Sequence, residues 1–356
     1  MSKFFSRKFD SLVPYTPGEQ PKDTKYIKLN TNESPFAPTP TASKYAAEAV
    51  GELNLYPDPD VTKLTGKLAE ILGVSPREVI LTNGSDEVLN FAFAAFCDES
   101  HPAVFPDITY GFYEVFAALN SVPFERIPLG DDFEVKLEDY IGIGKNIFLA
   151  NPNAPTGIAL SRDDIERVVS SNPDNIVLID EAYVDFGAES AIPLIKKYEN
   201  LVVCGTFSKS RSLAGARLGF GVASASLTAD LNTLKYSTNP YNINRMTMAA
   251  GLGMLEDETI VRERCAEIIK TREFTARGLE KLGFELTDSR ANFVFARHRT
   301  LGGEYLYGEL RRRGILVRRF DTERIRDHLR ITIGSREDMS TLLETLGEII
   351  PDAAAK

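Results

Sequence analysis

The chain has 356 residues, of which 43% are hydrophobic, so it is long enough to bury a large core and to divide into two domains. Its formal net charge of −10 and its dispersed basic residues disfavour nucleic acid as a partner. No apolar run approaches the length of a membrane span, and the first residues lack the apolar core of a signal peptide. We therefore expect a globular, cytoplasmic protein that binds neither nucleic acid nor membranes.

The cysteine and histidine usage disfavours several classes of site. The cysteines, Cys97, Cys204 and Cys265, are odd in number and far apart, which predicts buried small side chains rather than disulfides. The three histidines form no group with cysteines or carboxylates, so we expect no metal and no histidine-driven catalytic triad. Neither a Walker-type phosphate loop nor a complete dinucleotide-binding glycine loop is present. The chemistry must come from other residues.

The N-terminal stretch predicts an irregular arm followed by two helices. Residues 1–44 are rich in Pro, Asn and Thr and show few periodic apolar positions, which is typical of a segment laid over the body of a protein. Helices are predicted near 41–51 and over 61–72. Between them, the cluster of Pro, Asp and Asn at 54–59 predicts a turn that places Tyr56 at a surface bend.

Strands and helices then alternate. Short strands are predicted at 79–82, 103–105, 146–150, 175–179 and from Val202, with helices ending near 96 and over 112–119 and 161–170. This order predicts an α/β fold with a mostly parallel, doubly wound sheet, in which ligands collect at the carboxyl ends of the strands. The run 218–223 follows too closely for a helical crossover, so it is predicted to be antiparallel. The polar residues expected at the ligand-binding edge are Ser85, Tyr110, Asn153, Asp180 and Lys209.

The remaining sequence predicts a smaller α/β domain. Long helical patterns cover 240–282, and a strand (291–297), a helix (302–313), two strands (314–319 and 328–333) and a helix (336–349) follow. We therefore predict an N-terminal arm over 1–44 that packs with the small domain, a large domain over 45–238 and a small domain over 239–356.

The stretch around Lys209 indicates a reactive amine beside an anion site. A β-branched apolar run ends in Thr206, Ser208 and Lys209, and Arg217 follows eight residues after the lysine. Hydroxyl groups and a guanidinium are suited to a phosphate dianion, and the amine would react with an aldehyde carried by that phosphate. Taken alone, a Ser-Lys pair is more often an ordinary loop lysine.

Four motifs occur in order at compatible spacings. They are Asn-Pro-Asn-x-Pro-Thr-Gly at 151–157, Asp-Glu-Ala-Tyr at 180–183, Ser-Lys at 208–209 with Arg217, and His-Leu-Arg-Ile-Thr-Ile-Gly at 328–334. With them, the chain resembles the fold-type-I pyridoxal-phosphate-dependent aminotransferases. Val-Pro-Tyr at 13–15, Asn-Glu-Ser-Pro at 32–35, Leu-Tyr-Pro-Asp at 55–58 and Gly-Ser-Asp-Glu at 84–87 narrow the resemblance to the histidinol-phosphate aminotransferases, over essentially the full length.

The resemblance implies pyridoxal 5'-phosphate as cofactor. Lys209 would bind it covalently and move the proton between the substrate Cα and the cofactor. Asp180 would pair with the pyridine nitrogen, Tyr183 would hydrogen-bond the phenolate oxygen, and Tyr110 would stack on the ring. The residues expected around the phosphate are Ser85, Asp86, Thr206, Ser208 and Arg217. Tyr56 would reach the cofactor phosphate of a partner chain, which implies a homodimer with a shared active site.

Each of these residues also has a plainer interpretation. Asp180 alone would be a helix cap or a turn residue, and a lone Tyr183 or Tyr110 would more often be a core tyrosine. Ser85 and Asp86 would serve equally as helix caps, and both roles are compatible. The ordered set of motifs favours the functional interpretation.

One position departs from the pattern. The resembling family has asparagine immediately before Pro-Thr-Gly, where its amide reaches the phenolate oxygen of the cofactor, and this chain has Ala154 there. We expect either that Asn153 makes the contact instead or that Tyr183 serves alone.

Substrate recognition is expected from arginines. Arg330 resembles the family arginine that binds the substrate carboxylate with its forked guanidinium, and with histidinol phosphate it would meet the phosphate. Arg318 and Tyr15 would assist; Arg318 and Arg319 are neighbours on a strand, so only one faces the site, and we choose Arg318. Asn32 would contact the amine side of the substrate or merely organise its turn. The plainer alternatives are surface salt bridges for the arginines and an exposed aromatic for Tyr15.

Three functions remain open. The first is transamination of histidinol phosphate with 2-oxoglutarate to imidazole acetol phosphate and glutamate, in histidine biosynthesis. The second is a related reaction on the same fold, either transamination of aromatic amino acids or decarboxylation of a phosphorylated amino acid. The third is a binding protein without turnover, which the intact Lys209 and Asp180 disfavour. In the first two, the partners are a small-molecule amino donor and a 2-oxo acid.

Overall fold

The computed structural model describes residues 2–10, 12–22 and 24–354, with side chains up to residue 350. Its strands are β1 (Ile27–Lys28), β2 (Val79–Thr82), β3 (Ala103–Pro106), β4 (Phe124–Ile127), β5 (Asn146–Ala150), β6 (Val177–Asp180), β7 (Leu201–Thr206), β8 (Gly219–Ala223), β9 (Phe284–Leu286), β10 (Phe293–His298), β11 (Ile315–Leu316), β12 (Arg318–Arg319) and β13 (His328–Thr332). Its α-helices are α1 (Pro40–Ala49), α2 (Thr62–Leu72), α3 (Ser85–Phe96), α4 (Phe112–Leu119), α5 (Arg162–Ser171), α6 (Ala225–Thr238), α7 (Arg245–Glu256), α8 (Glu258–Lys281), α9 (Gly303–Arg312) and α10 (Arg336–Ala354).

A seven-stranded sheet forms the larger part of the molecule, in the order β2-β8-β7-β6-β5-β3-β4. Strands β3 to β7 pair in parallel, and β8 runs antiparallel to both β7 and β2. The predicted α/β fold with a mostly parallel sheet is therefore confirmed, and so is the antiparallel direction of residues 218–223. The parallel strands end at one edge of the sheet, which brings the loops that follow them together.

Both faces of this sheet are covered, which explains its nearly continuous apolar strands. Along β5, Ile147 and Leu149 belong to one core cluster, and Phe148 and Ala150 belong to the other. Helices α3, α4 and α6 bury their apolar side chains in the second cluster, and α2 and α5 cover the opposite face. The sheet is thus fixed from both sides, and the polar residues at its edge rest on a rigid layer.

A second, smaller sheet has four antiparallel strands in the order β12-β13-β10-β9. The predicted single strand over 314–319 is wrong. Ile315–Leu316 pairs in parallel with β1 of the N-terminal arm, whereas Arg318–Arg319 pairs with β13, so the chain changes sheets at Val317. The sequence pattern also failed to predict the short strands β1, β4 and β9 and the helix α6.

Before α1 begins at Pro40, the described residues of the N-terminal arm are irregular apart from a single turn of 3-10 helix and β1. The backbone of the arm is hydrogen-bonded to the C-terminal part of the chain. Ile27 N–H donates to Gly314 O (2.9 Å), and Thr332 N–H, at the end of β13, donates to Leu29 O (2.9 Å). Residues 1, 11 and 23 of the predicted arm lie outside the described residues. The predicted division at 44/45 and 238/239 stays a prediction.

Candidate active site

A cavity opens at the carboxyl edge of the seven-stranded sheet. It is lined by residues from the loops after β2, β3, β5, β6 and β7: Ser85, Asp86, Tyr110, Ala150, Ala154, Asp180, Ala182, Tyr183, Thr206, Ser208, Lys209 and Arg217. Nine of the residues predicted for cofactor binding are in this set. Asn153 and Tyr56 are not.

Lys209 follows the end of β7 and extends into the cavity. Its Nζ lies 3.4 Å from Thr31 O of the N-terminal arm and 5.7 Å from the ring centre of Tyr183. The loop that carries Lys209 is fixed from behind by Arg211, a buried residue that forms ion pairs with Asp185 (3.2 Å) and Glu258 (3.1 Å). The amine therefore stands on an anchored loop, close to groups that would act with it.

Asp180 ends β6 and is nearly completely buried. Its carboxylate accepts hydrogen bonds from Ala182 N–H (3.1 Å) and Tyr113 Oη (3.3 Å). Burial raises the pKa of Asp180 to about 6, although these hydrogen bonds favour the charged form. A buried carboxylate of this kind is suited to a cationic partner such as a protonated pyridine nitrogen.

Hydroxyl groups and a helix start form a site for a dianion. Thr206 Oγ1 donates to Ser208 Oγ (2.9 Å), and Arg217 Nη1 lies 3.4 Å from the same oxygen. Helix α3 begins at Ser85, and its first N–H groups have no partners within the helix. Gly84 precedes it with φ +80° and ψ 164°, a backbone conformation that is essentially restricted to glycine.

Asp86 links the anion site to the aromatic wall. Its carboxylate accepts a hydrogen bond from Tyr110 Oη (2.7 Å) and pairs with Arg217 Nη2 (3.2 Å). The Tyr110 ring packs edge-on against Tyr113 (5.8 Å between ring centres), and burial raises its phenol pKa. Tyr110 is thus held in one orientation along the wall of the cavity.

A cleft continues from this cavity toward the four-stranded sheet and contains all four predicted substrate residues. Tyr15, Asn32, Arg318 and Arg330 line it, together with Lys209 and Tyr183. Tyr15 stacks on Phe112 (4.3 Å between ring centres). Arg318 and Arg330 are partners in the register of β12 and β13, so their side chains share one face of the sheet.

The two neighbouring arginines of β12 differ in direction. Arg318 donates to Thr16 O (3.0 Å) and Pro17 O (3.3 Å) at the cleft, whereas Arg319 donates to Arg326 O (2.9 Å) and pairs with Asp321 (2.6 Å). Arg330 donates to Asn30 O (3.1 Å), and its Nε is buried without a hydrogen-bond partner among the described residues. Burial lowers the pKa of Arg330, which favours an anionic ligand beside it.

Comparisons with known proteins agree with this geometry. Residues 24–346 match the family described as aminotransferase class I and II. The chain belongs to the class I and II aminotransferases. It is 46% identical over 352 residues to the histidinol-phosphate aminotransferase of Brachyspira hyodysenteriae, covering 98% of this chain and 99% of that protein. It is 48% identical to the enzyme of the same name from Chromohalobacter salexigens, over 97% and 99% of the two chains.

A solved structure shows the same fold. The histidinol-phosphate aminotransferase from Sinorhizobium meliloti, in complex with pyridoxal-5'-phosphate, superposes with a TM-score of 0.90 over 99% of both chains at 24% identity. The fold-type-I assignment is therefore confirmed.

Asn153 does not line the cavity. The buried Asn153 amide accepts a hydrogen bond from Thr109 Oγ1 (2.7 Å) and donates to Ile108 O (2.9 Å) and Thr156 Oγ1 (3.1 Å). It ties the turn before Pro-Thr-Gly to the loop after β3, so the structure gives no support to the predicted cofactor contact of Asn153. Ala154 lines the cavity instead and presents only a methyl group.

Tyr56 lies outside the cavity of its own chain. Its side chain is 78% exposed, its ring stacks on Tyr241 (4.6 Å), and its backbone carbonyl accepts a hydrogen bond from Arg245 (2.9 Å). The bend predicted at 54–59 is present, and Tyr56 stands on the surface of the aminotransferase monomer.

Several residues of the site were not predicted from the sequence. Tyr113 lies in the first turn of α4, only three residues after Tyr110, and this closeness in the chain was a usable signal. Arg211, Thr332 and Asn292 carry no such signal, because their partners are distant in sequence.

The described residues also show the state of the cysteines and the lengths of the helices. Cys97, Cys204 and Cys265 are buried and form no disulfide bonds. Among the described residues of the aminotransferase, no helix is long and apolar enough to span a bilayer, and no three His, Cys, Asp or Glu side chains are grouped as a metal site would need.

Proposed function

We propose that the chain transfers the amino group of histidinol phosphate to 2-oxoglutarate, with pyridoxal phosphate bound on Lys209. The observation that carries the proposal is the continuity of two sites. A cavity with an amine, a buried carboxylate and a dianion site opens into a cleft where Arg318 and Arg330 share one face. The full-length similarity to enzymes of this name supports the choice of substrate.

The residues of the cavity fit the cofactor. The hydroxyls of Ser85, Thr206 and Ser208, the Arg217 guanidinium and the start of α3 would hold its phosphate. Asp180 would hold its pyridine nitrogen in the protonated form, and this pairing would lower the raised pKa of the Asp180 carboxyl again. Bound pyridoxal phosphate supplies an electron sink for breaking the Cα–H bond of the substrate.

The protein's own groups would move and place the reacting atoms. Lys209 Nζ would take the Cα proton and return it at the cofactor, which is general acid–base work for an amine freed by the substrate. Arg330 would bind the phosphate of histidinol phosphate and, in the other half-reaction, a carboxylate of glutamate. Arg318 and Tyr15 would close the same end of the cleft.

Amino-donor profiling tests the proposal. With 2-oxoglutarate as acceptor, histidinol phosphate should give glutamate with the highest kcat/KM, above phenylalanine and tyrosine. A higher kcat/KM for an aromatic amino acid would favour the aromatic aminotransferase alternative. Release of CO2 from a phosphorylated amino acid without glutamate formation would favour the decarboxylase alternative. Cofactor binding without turnover of any donor would favour the binding-protein alternative.

We also infer a homodimer in which Tyr56 of one chain serves the cofactor phosphate of the other. The support is the position of Tyr56, which is exposed and absent from its own cavity, among other exposed apolar residues, Val50, Leu53 and Leu55. Mixing Lys209→Ala chains with Tyr56→Phe chains should create one native site in each mixed dimer and raise activity above both parents. Mixed dimers without any gain would reject the shared site if Tyr56→Phe alone is impaired. The predicted cytoplasmic location stays a prediction.

A further inference from the structure

The wall of the cavity beside Lys209 lacks one polar group that the family pattern would supply. Ala154 presents a methyl group there, and the Asn153 amide is fully engaged with Ile108, Thr109 and Thr156. In the proposed function, the phenolate oxygen of the cofactor then depends on the hydroxyl of Tyr183. The direction in which that hydroxyl points its single proton becomes important, because a phenol donates only one hydrogen bond.

Asn32 contacts the Tyr183 hydroxyl from outside the cavity. Its Nδ2 lies 2.9 Å from Tyr183 Oη, and its side chain is only 1% exposed. Its backbone has φ +57°, a left-handed conformation that asparagine adopts more readily than most residues. The sequence suggested a contact between Asn32 and the substrate amine, and that contact stays a prediction. The contact that the structure shows is with Tyr183.

Thr332 determines which end of the Asn32 amide faces the tyrosine. The Thr332 hydroxyl accepts the backbone N–H of Asn32 (2.9 Å) and donates its own proton to Asn32 Oδ1 (3.0 Å). With Oδ1 receiving that proton, Nδ2 is the end that faces Tyr183, and it can only donate. Asn292 Nδ2 donates to Asn32 O (2.9 Å) and holds the same residue from a further side.

The ring of Tyr183 is fixed as well. It packs edge-on against Phe293 on β10, with 5.2 Å between ring centres. Because the ring is held and its oxygen already accepts a hydrogen bond from Asn32, the remaining freedom of the hydroxyl is the direction of its own proton. A proton pointed back at Asn32 would meet another N–H donor, which is unfavourable.

We propose that Asn32 is a positioning residue that, held by Thr332, directs the hydroxyl proton of Tyr183 into the cavity. This inference rests on the proposed function, since it assigns the proton to the phenolate oxygen of bound pyridoxal phosphate. It connects β13, the strand of the substrate arginine Arg330, with the cofactor end of the site. Asn32 acts through Tyr183 and does not itself react.

The consequence is measurable as a pH midpoint. A hydrogen bond donated to the phenolate oxygen weakens the hold of that oxygen on the proton of the neighbouring lysine-bound nitrogen. The bound cofactor then changes its absorbance at a lower pH. Loss of one hydrogen bond should raise the midpoint by about half a pH unit to one pH unit, since such bonds contribute about 0.5 to 1.5 kcal/mol.

The experiment is a spectral pH titration of the cofactor-loaded protein. Thr332→Val removes the hydroxyl at nearly constant shape and should raise the midpoint, whereas Thr332→Ser keeps the hydroxyl and should retain the wild-type midpoint. Tyr183→Phe should raise it at least as much as Thr332→Val. In the Tyr183→Phe background, Thr332→Val should cause no further shift, because its effect passes through the phenol.

Asn32→Asp provides a second test if Thr332→Val does not fold. Aspartate tolerates the left-handed backbone but replaces the N–H donor by an acceptor, so the Tyr183 proton should turn toward it. Its shift in the midpoint should exceed the shift that the same substitution causes in Tyr183→Phe, where only its charge acts. Equal shifts in the two backgrounds, for either substitution, would overturn the inference. A wild-type protein that shows no cofactor absorbance would instead contradict the proposed function itself.

Discussion

The cofactor cavity and the substrate cleft are built in different ways. The cavity is lined from the loops after consecutive strands of one sheet that is buried on both faces. The cleft is assembled from the N-terminal arm, the loop after β3 and two strands of the smaller sheet. In it, Arg318 donates to Thr16 O, a contact between residues about three hundred positions apart in the sequence. The geometry of the cavity therefore follows from the rigid edge of one sheet. The geometry of the cleft depends on how separate segments of the chain pack together.

This difference predicts where substitutions act. Groups in the cavity should decide whether any amino donor reacts, because each donor uses the same cofactor. Groups in the cleft should act on binding and specificity. Asn32, Tyr183 and Thr332 join the two regions through hydrogen bonds.

The largest effect is expected at the cavity. Lys209→Ala should abolish the absorbance of the lysine-bound cofactor and lower kcat by more than about 10³-fold for every donor, because both the covalent link and the proton carrier are lost. Absorbance spectra and steady-state kinetics check both points. Lys67→Ala, on the surface of α2, is the control and should behave as wild type. Full transaminase activity in Lys209→Ala would reject the role of the cavity.

The second largest effect is expected at Arg330, the residue of the cleft that would bind the phosphate or carboxylate group of each substrate. Arg330→Ala should weaken both half-reactions by about 2 to 5 kcal/mol in kcat/KM, because one partly buried guanidinium serves the phosphate of one substrate and a carboxylate of the other. Arg330→Lys should recover little, since an ammonium group lacks the forked geometry. Separate half-reaction kinetics decide the matter, and a loss confined to one substrate would show that the two ligands use different arginines.

A pH-dependent effect is expected at Asp180 in the cofactor-free protein. Burial raises its pKa from 3.8 to about 6, so the folded protein holds this proton more tightly than the unfolded chain does. The free energy of unfolding should therefore fall as pH rises from about 4 to 6 and stay low above. Asp180→Asn should be more stable than wild type at pH 8 by up to about 3 kcal/mol, with little gain at pH 4.

Denaturant titrations of the cofactor-free proteins at both pH values measure this difference. The same substitution should weaken cofactor binding, so stability and function would change in opposite directions. An equal stability difference at pH 4 and pH 8 would contradict the buried, proton-binding carboxyl.

The smallest effect is expected at the rim of the cleft. Arg318→Ala should raise the KM for the phosphorylated substrate about twofold to fivefold, since partly exposed charge pairs contribute about 0.2 to 1 kcal/mol. Arg319→Ala is the matched control, because Arg319 is engaged by Arg326 O and Asp321 away from the cleft. An effect of Arg319→Ala that exceeds the effect of Arg318→Ala would show that the direction assigned to the two side chains is wrong.

The same contrast explains what could be predicted from the sequence. Asp180 and Lys209 were predictable as neighbours because parallel strands end at one edge, so that strand ends are enough to place them. The predicted contact between Asn153 and the cofactor has no support in the structure. The sequence gives the residue type but not the conformation of the turn, and the turn directs the Asn153 amide toward Ile108 and Thr109.

The cleft was harder to predict for a related reason. Residues 314–319 look like one strand, and only the pairing of Ile315 with β1 and of Arg318 with β13 shows that the chain changes sheets between them. The residues Asn32 and Tyr183 are 151 positions apart, and their contact depends on how the N-terminal arm packs against the rest of the chain. No local sequence pattern therefore indicates it. Contacts of this kind follow from tertiary packing rather than from periodicity.

The central claim is that pyridoxal phosphate is bound covalently at Lys209. It is tested most directly by reducing the cofactor-loaded protein with borohydride and locating the modified lysine by peptide mass spectrometry. The account predicts one pyridoxyl group per chain, on the peptide that contains Lys209. A label on another lysine, such as Lys28 of the N-terminal arm, or the absence of any label on a protein that turns over its substrates, would contradict it.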